Sequence, residues 1–267
     1  MPSATALAMP PASPGAAGWD GLARELDLWG AAGRVATLWW RDDDAVAATP
    51  ALDRLLAPAL PLTLAVIPAA AEPGLAERLR TAPAVTVAQH GWSHADHAPP
   101  GAKSIELGGR PAAAVAADLA AGRDRLAALF GERFRPVLVP PWNRIDPAVL
   151  PLLPGLGYAG LSTFTPRRAA EAAPRVVRVN SHVDVIAWRA GRGFVGEEAA
   201  LAALTDHLAA RREGLVDDEP TGLLTHHLVH DALCWAFVER LAAATRDHPA
   251  ARWLGTAEAF APSVEPA

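Results

Sequence analysis

The decisive stretch is Val85-Thr86-Val87-Ala88-Gln89-His90-Gly91-Trp92-Ser93-His94. Its first five residues alternate and favour β-branched side chains, the pattern of a strand, and two imidazoles four residues apart follow at once. In open α/β folds functional groups collect outside the carboxyl ends of the strands, so this is where ligands belong. Two neutral imidazole nitrogens can serve one divalent ion, and a catalytic site adds a third protein ligand while leaving one position open. An isolated histidine pair at this spacing is more often a surface or core feature, so the context has to supply the third ligand.

Outward from this stretch the chain alternates. Trp19 to Trp29 has helical spacing, with Leu22, Leu26, Leu28 and Trp29 as its apolar positions and Gly30 as its stop. Strand Val35 to Trp40, helix Pro50 to Leu56, strand Leu62 to Ile67 and helix Gly74 to Arg80 lead to the strand before His90. Beyond a polar loop, Pro111 to Phe130 reads as an amphipathic helix with Val115, Leu119, Leu126 and Leu129 on one side. Strands are expected at Pro136 to Val139, Tyr158 to Phe164, Val176 to Ile186, Gly222 to Thr225 and Arg252 to Gly255. Helices are expected at Glu197 to Arg212 and Ala232 to Thr245. Seven or eight βα units predict an α/β fold, a single-domain (β/α) barrel, distorted or seven-stranded, over residues 19–262.

Composition excludes several classes. A net charge of -5 and a pI near 6.0 give no electrostatic reason to expect nucleic acid or an anionic membrane surface as partner. The single cysteine, Cys234, rules out an internal disulfide framework and reads as a buried thiol. Leu60 to Ala71 is too short to span a bilayer and is interrupted by Pro61 and Pro68. Met1 to Gly18, rich in Ala, Pro and Ser, has no Lys or Arg and reads as a disordered tail, not a signal peptide, so a cytoplasmic protein is expected.

The third ligand is sought in Asp42-Asp43-Asp44. Three adjacent carboxylates after the apolar Leu38-Trp39-Trp40 repel one another unless a cation neutralises them. A helix cap or solvated turn is the bland alternative, disfavoured because the run ends a strand at the same edge as His90 and His94.

With these segments in view, the chain resembles the polysaccharide deacetylases, carbohydrate esterase family 4 with the NodB-homology fold, from about Trp39 to Phe260. The resemblance implies a metal-dependent hydrolase that removes acetyl groups from N-acetylated saccharides with a metal-bound water. By it Asp43 is the base, Asp44, His90 and His94 are the ligands, and zinc is the first metal, with cobalt or nickel as substitutes. A register shifted by one, Asp42 as base and Asp43 as ligand, stays open. Pro140-Pro141-Trp142-Asn143 is similar to the motif whose aromatic residue offers a backbone N–H to the oxyanion, and Arg144 follows. Val139 stands where that motif has the Arg that tethers the catalytic Asp, a role Arg41 or Arg144 can take over. Asp184-Val185-Ile186-Ala187-Trp188 matches half of a fourth motif. Gly222-Leu223-Leu224-Thr225-His226 resembles the fifth, in which Leu224 shapes an acetyl pocket and His226, or His227 in another register, is the acid.

Period-two alternation puts Leu224 and His226 on one strand face, and a histidine near its ordinary pKa suits protonation of a leaving amine. Trp142 and Trp188 are assigned to the saccharide pocket, and His97 and His182 to structural or loop roles. Hydrolysis of a different amide or ester, or non-catalytic carbohydrate binding, are the alternative functions on this scaffold.

Overall fold

The computed structural model describes residues 18–262. The expected tail therefore lies, apart from Gly18, outside the described residues. In chain order the elements are α1 (Trp19–Ala31), β1 (Ala36–Ala45), α2 (Pro50–Leu56), β2 (Leu62–Val66), α3 (Pro73–Leu79), β3 (Val85–His90), α4 (Ala112–Phe130) and β4 (Phe134–Val139). They continue as β5 (Gly160–Leu161), β6 (Glu171–Ala173), β7 (Val176–Arg178), β8 (Val183–Asp184), α5 (Glu197–Arg212), β9 (Thr221–Thr225), α6 (Ala232–Arg246), β10 (Ala251–Leu254) and α7 (Thr256–Ala259).

The strands form a sheet in the order β6-β7-β5-β4-β3-β2-β1-β9-β8, parallel except for the β6–β7 pair, and β10 lies along the first half of β1. The expected strand Val176 to Ile186 is split: β7 pairs with β5 and β8 with β9. The backbone from Val179 to His182 thus spans the two ends of the hydrogen-bonded path, which makes the fold a distorted (β/α) barrel. The expected strand Tyr158 to Phe164 shrinks to two residues. The β6 hairpin was not foreseen, because Glu171-Ala172-Ala173 has neither alternation nor β-branched residues.

One layer of core lies between the helices and the outer face of the sheet, where Leu38, Trp40, Leu62, Leu64 and Leu223 meet Leu204, Leu208, Val238 and Leu241. From α1 it takes Leu22, Leu26 and Trp29; Leu28, expected on the same face, is 49% exposed. A second cluster fills the barrel interior with Trp39, Ala65, Ala88, Val137, Val139, Val179, Leu254 and Phe260. Trp39 is the plug. Phe260 meets it edge-on at 5.5 Å, and its indole N–H donates to the Asn180 carbonyl at 3.0 Å. Gly222 leaves room for it, since a Cβ there would lie 2.4 Å from Trp39 Nε1. Because strand side chains alternate, the residues two and four beyond Trp39 face the same interior. Those residues are Arg41 and Asp43.

Candidate active site

β1 runs on through the three aspartates to Ala45, five residues past the expected end at Trp40. Its pairing with β2 shifts register between Asp42 and Ala45, and Asp44 adopts a left-handed φ of 71°. Such a bulge re-aims side chains, and Asp tolerates that conformation. Alternation alone would send Asp44 to the outer layer with Asp42. The bulge brings it to the inner side beside Asp43.

Asp44 Oδ1 lies 3.1 Å from His90 Nε2 and 3.5 Å from His94 Nε2. These three residues offer ligand atoms that all lie within 4.8 Å of one another. His90 comes from the end of β3, and His94 from the turn that follows, with φ 59°. The Val139 carbonyl, 3.0 Å from His90 Nδ1, can only accept, so Nδ1 carries the proton and Nε2 presents its lone pair. Nε2 lies 3.1 Å from Asp44 Oδ1 but off the hydrogen-bond axis, and that buried oxygen has no aligned hydrogen-bond donor among the described residues. Two acceptors this close need a proton or a cation between them, and the donor set of one carboxylate and two imidazoles fits a divalent transition metal.

The electrostatics agree for Asp44 and His94; burial lowers His90, but Asp43 and Asp44 outweigh it and raise that ring, as acidic neighbours do where no cation stands between them. Burial opposes ionisation of Asp44, but the neighbouring His90, His226 and His94 outweigh it and hold the carboxyl below its ordinary range. Burial first, and then the His90 ring whenever it is protonated, push His94 down, which favours the neutral, ligating imidazole.

Asp43, 2% exposed, stands beside this cluster. Arg41 Nη2 donates to its Oδ2 at 3.0 Å, and Arg41 Nε lies 2.9 Å from its Oδ1, an ion-pair contact off the hydrogen-bond axis. Arg41 is fully buried and also donates to Asn143 Oδ1 (2.7 Å), Ser162 Oγ (2.7 Å) and the Thr163 carbonyl (3.2 Å). His226 Nε2 is 4.0 Å from Asp43 Oδ2, and the Trp188 ring packs edge-on to the His226 imidazole at 4.6 Å. Leu224 is buried two residues before His226 on β9, and Trp142 packs on His94 with 4.4 Å between ring centroids.

Asp42 lies elsewhere, buried in the outer layer. It accepts from Thr225 Oγ1 (2.6 Å), the His227 backbone N–H (3.0 Å) and His227 Nδ1 (2.5 Å). Of the residues expected to bind substrate, Pro141 is buried and Trp142 and Asn143 share one turn, both with left-handed φ. Arg144 Nη1 donates to the Ser104 carbonyl at 2.8 Å, and Asp184 accepts from Ile186 N and Trp188 Nε1.

Another trio, His182, His207 and Glu219, also gathers ligand atoms. The Gly222 N–H donates to His182 Nδ1 at 2.9 Å, which puts the ring proton on Nε2, where it is given to Glu219 Oε1 at 3.1 Å. That nitrogen has no lone pair for a metal; the His182–Glu219 pair is a buried hydrogen bond, and His207 stacks on His182 and bonds Thr221.

No protein-family model matches the sequence, and no curated protein matches it. Solved structures do. A putative polysaccharide deacetylase from Mycobacterium smegmatis superposes with a TM-score of 0.58 at 14% identity, covering 85% of this chain and 90% of that one. The Bc1960 peptidoglycan N-acetylglucosamine deacetylase gives 0.55 at 14% identity, covering 88% and 97%. This chain has the polysaccharide deacetylase fold. A family 4 acetyl xylan esterase from Clostridium thermocellum, in complex with a cobalt ion, shares that fold with a TM-score of 0.50 at 13% identity, covering 84% and 90%. Among the described residues no helix is long and apolar enough to cross a membrane.

Proposed function

We propose that residues 19–262 form one catalytic domain, a metal-dependent hydrolase that removes acetyl groups from N-acetylated saccharides. The observation that carries this reading is the convergence of Asp44, His90 and His94 at one point, with Asp43 held by Arg41 on one side and His226 beyond it. The deacetylases and the cobalt-bound esterase that share the fold support it.

Asp44, His90 and His94 would hold the ion, zinc in first place, with cobalt or nickel able to use the same donors. A bound ion supplies Lewis acidity and a more acidic water. Asp43 would take the proton of the attacking water, its carboxylate fixed in orientation by Arg41. The Trp142 backbone N–H, in its left-handed turn, would donate to the oxyanion as the acetyl carbonyl becomes tetrahedral. His226 would then protonate the departing amine. Leu224 would line the acetyl pocket, and Pro141, Trp142, Asn143, Arg144, Asp184 and Trp188 would frame the sugar, with the two indoles offering apolar platforms.

The test is acetate release from a panel of N-acetylated oligosaccharides, O-acetylated sugars and small amides, measured with added zinc and after chelation. Zinc-dependent acetate and free amine from the N-acetylated sugars supports the reading. Turnover confined to small amides would transfer the same machinery to a different substrate class, a reading that Val139 in place of the tethering Arg favours.

A further inference from the structure

The turn that carries the second histidine is held by more than its own strand. Gly91 has φ +57° and its carbonyl accepts from Gln89 Nε2 at 2.9 Å, while its N–H donates to the Val139 carbonyl at 3.2 Å. The next two backbone N–H groups turn to a carboxylate from elsewhere in the chain. Trp92 N donates to Glu106 Oε2 at 3.2 Å, Ser93 N to Glu106 Oε1 at 2.7 Å, and Ser93 Oγ lies 3.3 Å from the same oxygen. Glu106 is fully buried, and no Lys, Arg or His among the described residues is ion-paired with it. The approach is so close that a Cβ on Gly91 would sit 1.8 Å from Glu106 Oε2.

Glu106 is itself fixed from both sides. Upstream, the His97 N–H donates to the Ile105 carbonyl, and Asp96 Oδ1 accepts from Ile105 N. Arg144 also donates to the upstream Ser104 carbonyl, and downstream Leu107 forms a parallel bridge to Ile145. One short segment therefore links the His90–His94 turn to the Pro141–Arg144 turn, with the Glu106 carboxylate between them.

We infer that Glu106 is a positioning residue for the metal centre, one that sets the conformation of the Gly91–Ser93 turn and through it the place of His94. The inference rests on the metal reading above. A carboxylate suits the task because it offers an acceptor to each of two convergent N–H groups. An amide of the same shape offers one acceptor and turns a donor toward the other N–H. A buried negative charge beside the ligands also favours a cation there.

The test is a Co²⁺ titration of the metal-free protein, followed by the visible absorption of the bound ion, with thermal unfolding of the metal-free forms alongside. Glu106→Gln is expected to weaken Co²⁺ binding roughly 10–100-fold and to alter the band, as loss of a group that orients a ligand does. Wild-type affinity and an unchanged band in Glu106→Gln would overturn the inference, even with a lowered Tm, because Glu106 would then hold the fold and not the ligand. If Glu106→Gln does not fold, Glu106→Asp takes its place; it keeps both acceptors a methylene short, and weaker binding supports the inference while wild-type affinity overturns it. His94→Ala separates the two levels. Co²⁺ bound by His94→Ala as tightly as by wild type, or not bound by wild type at all, would bring down the metal reading itself and this inference with it.

Discussion

Arg41 and Asp43 lie two residues apart on one inward-facing strand edge, and the guanidinium meets both oxygens of the carboxylate at 2.9 and 3.0 Å. Val139 occupies the position where the related motif supplies a tethering Arg, so in this chain the tether comes from the same strand as the carboxylate it holds. Lysine cannot reproduce that planar grip while also serving Ser162 and Asn143. Arg41→Lys should lower kcat at least tenfold with a smaller change in KM, and Arg41→Ala should destabilise the fold by about 3–5 kcal/mol, as removal of one partner of a buried pair does. Steady-state kinetics and urea unfolding check the two halves separately.

The aspartate register has a direct readout. Asp43→Asn should abolish turnover with metal retained, and Asp44→Asn should empty the site. Asp42→Asn should do neither directly but destabilise the protein, because it leaves His227 buried without its partner. An Asp43→Asn variant that loses its metal would move the ligand assignment back by one residue.

His226 is the expected acid. His226→Ala should reduce kcat on an amide by roughly 10²–10⁴-fold, and much less on an activated ester whose leaving group needs no proton. His227→Ala should cost stability and leave the amide-to-ester ratio where it was. An amide-selective defect in His227→Ala alone would reverse the two roles.

The general plan of the chain was legible in its sequence, and for physical reasons. Helices such as Trp19–Ala31 and strands such as Val85–His90 carry strong periodicity, and Asp43, Asp44, His90, His94 and His226 fall at or just beyond the ends of strands. The bulge at Asp44 was not legible. It depends on pairing with β2, which a single strand's pattern does not encode, and it decides that Asp42 and Asp44 separate into different layers. Glu106 was missed for a similar reason, since a lone Glu in a polar loop looks solvated until the chain folds back over the Gly91 turn. The short strands near residues 160–186 escaped because their pairing partners, not their composition, hold them extended.

The buried His182–His207 stack predicts a pH dependence of stability. Burial first, and then the charges of Arg211 and Arg167, push His182 down to about 3; burial and His182 push His207 down to about 2. Unfolded, both rings protonate near pH 6.5, so below that value the unfolded chain binds more protons and stability falls with the pH. Glu219, pushed up to about 7 by burial, acts the other way between its ordinary 4.5 and 7. Two rings against one carboxyl leave a net loss on acidification. The urea midpoint should be lower at about pH 5 than at about pH 7.5, and His207→Gln should reduce that difference; an undiminished difference would remove His207 from the account.

The most direct measurement is the metal content of the purified chain and of its His94→Ala variant by elemental analysis. The account predicts about one divalent ion per wild-type chain, zinc before cobalt or nickel, and almost none in His94→Ala, because a single site built from Asp44, His90 and His94 cannot keep its ion on two ligands at ordinary dilution. Full occupancy in His94→Ala, or no bound ion in the wild type after reconstitution with zinc, would contradict it.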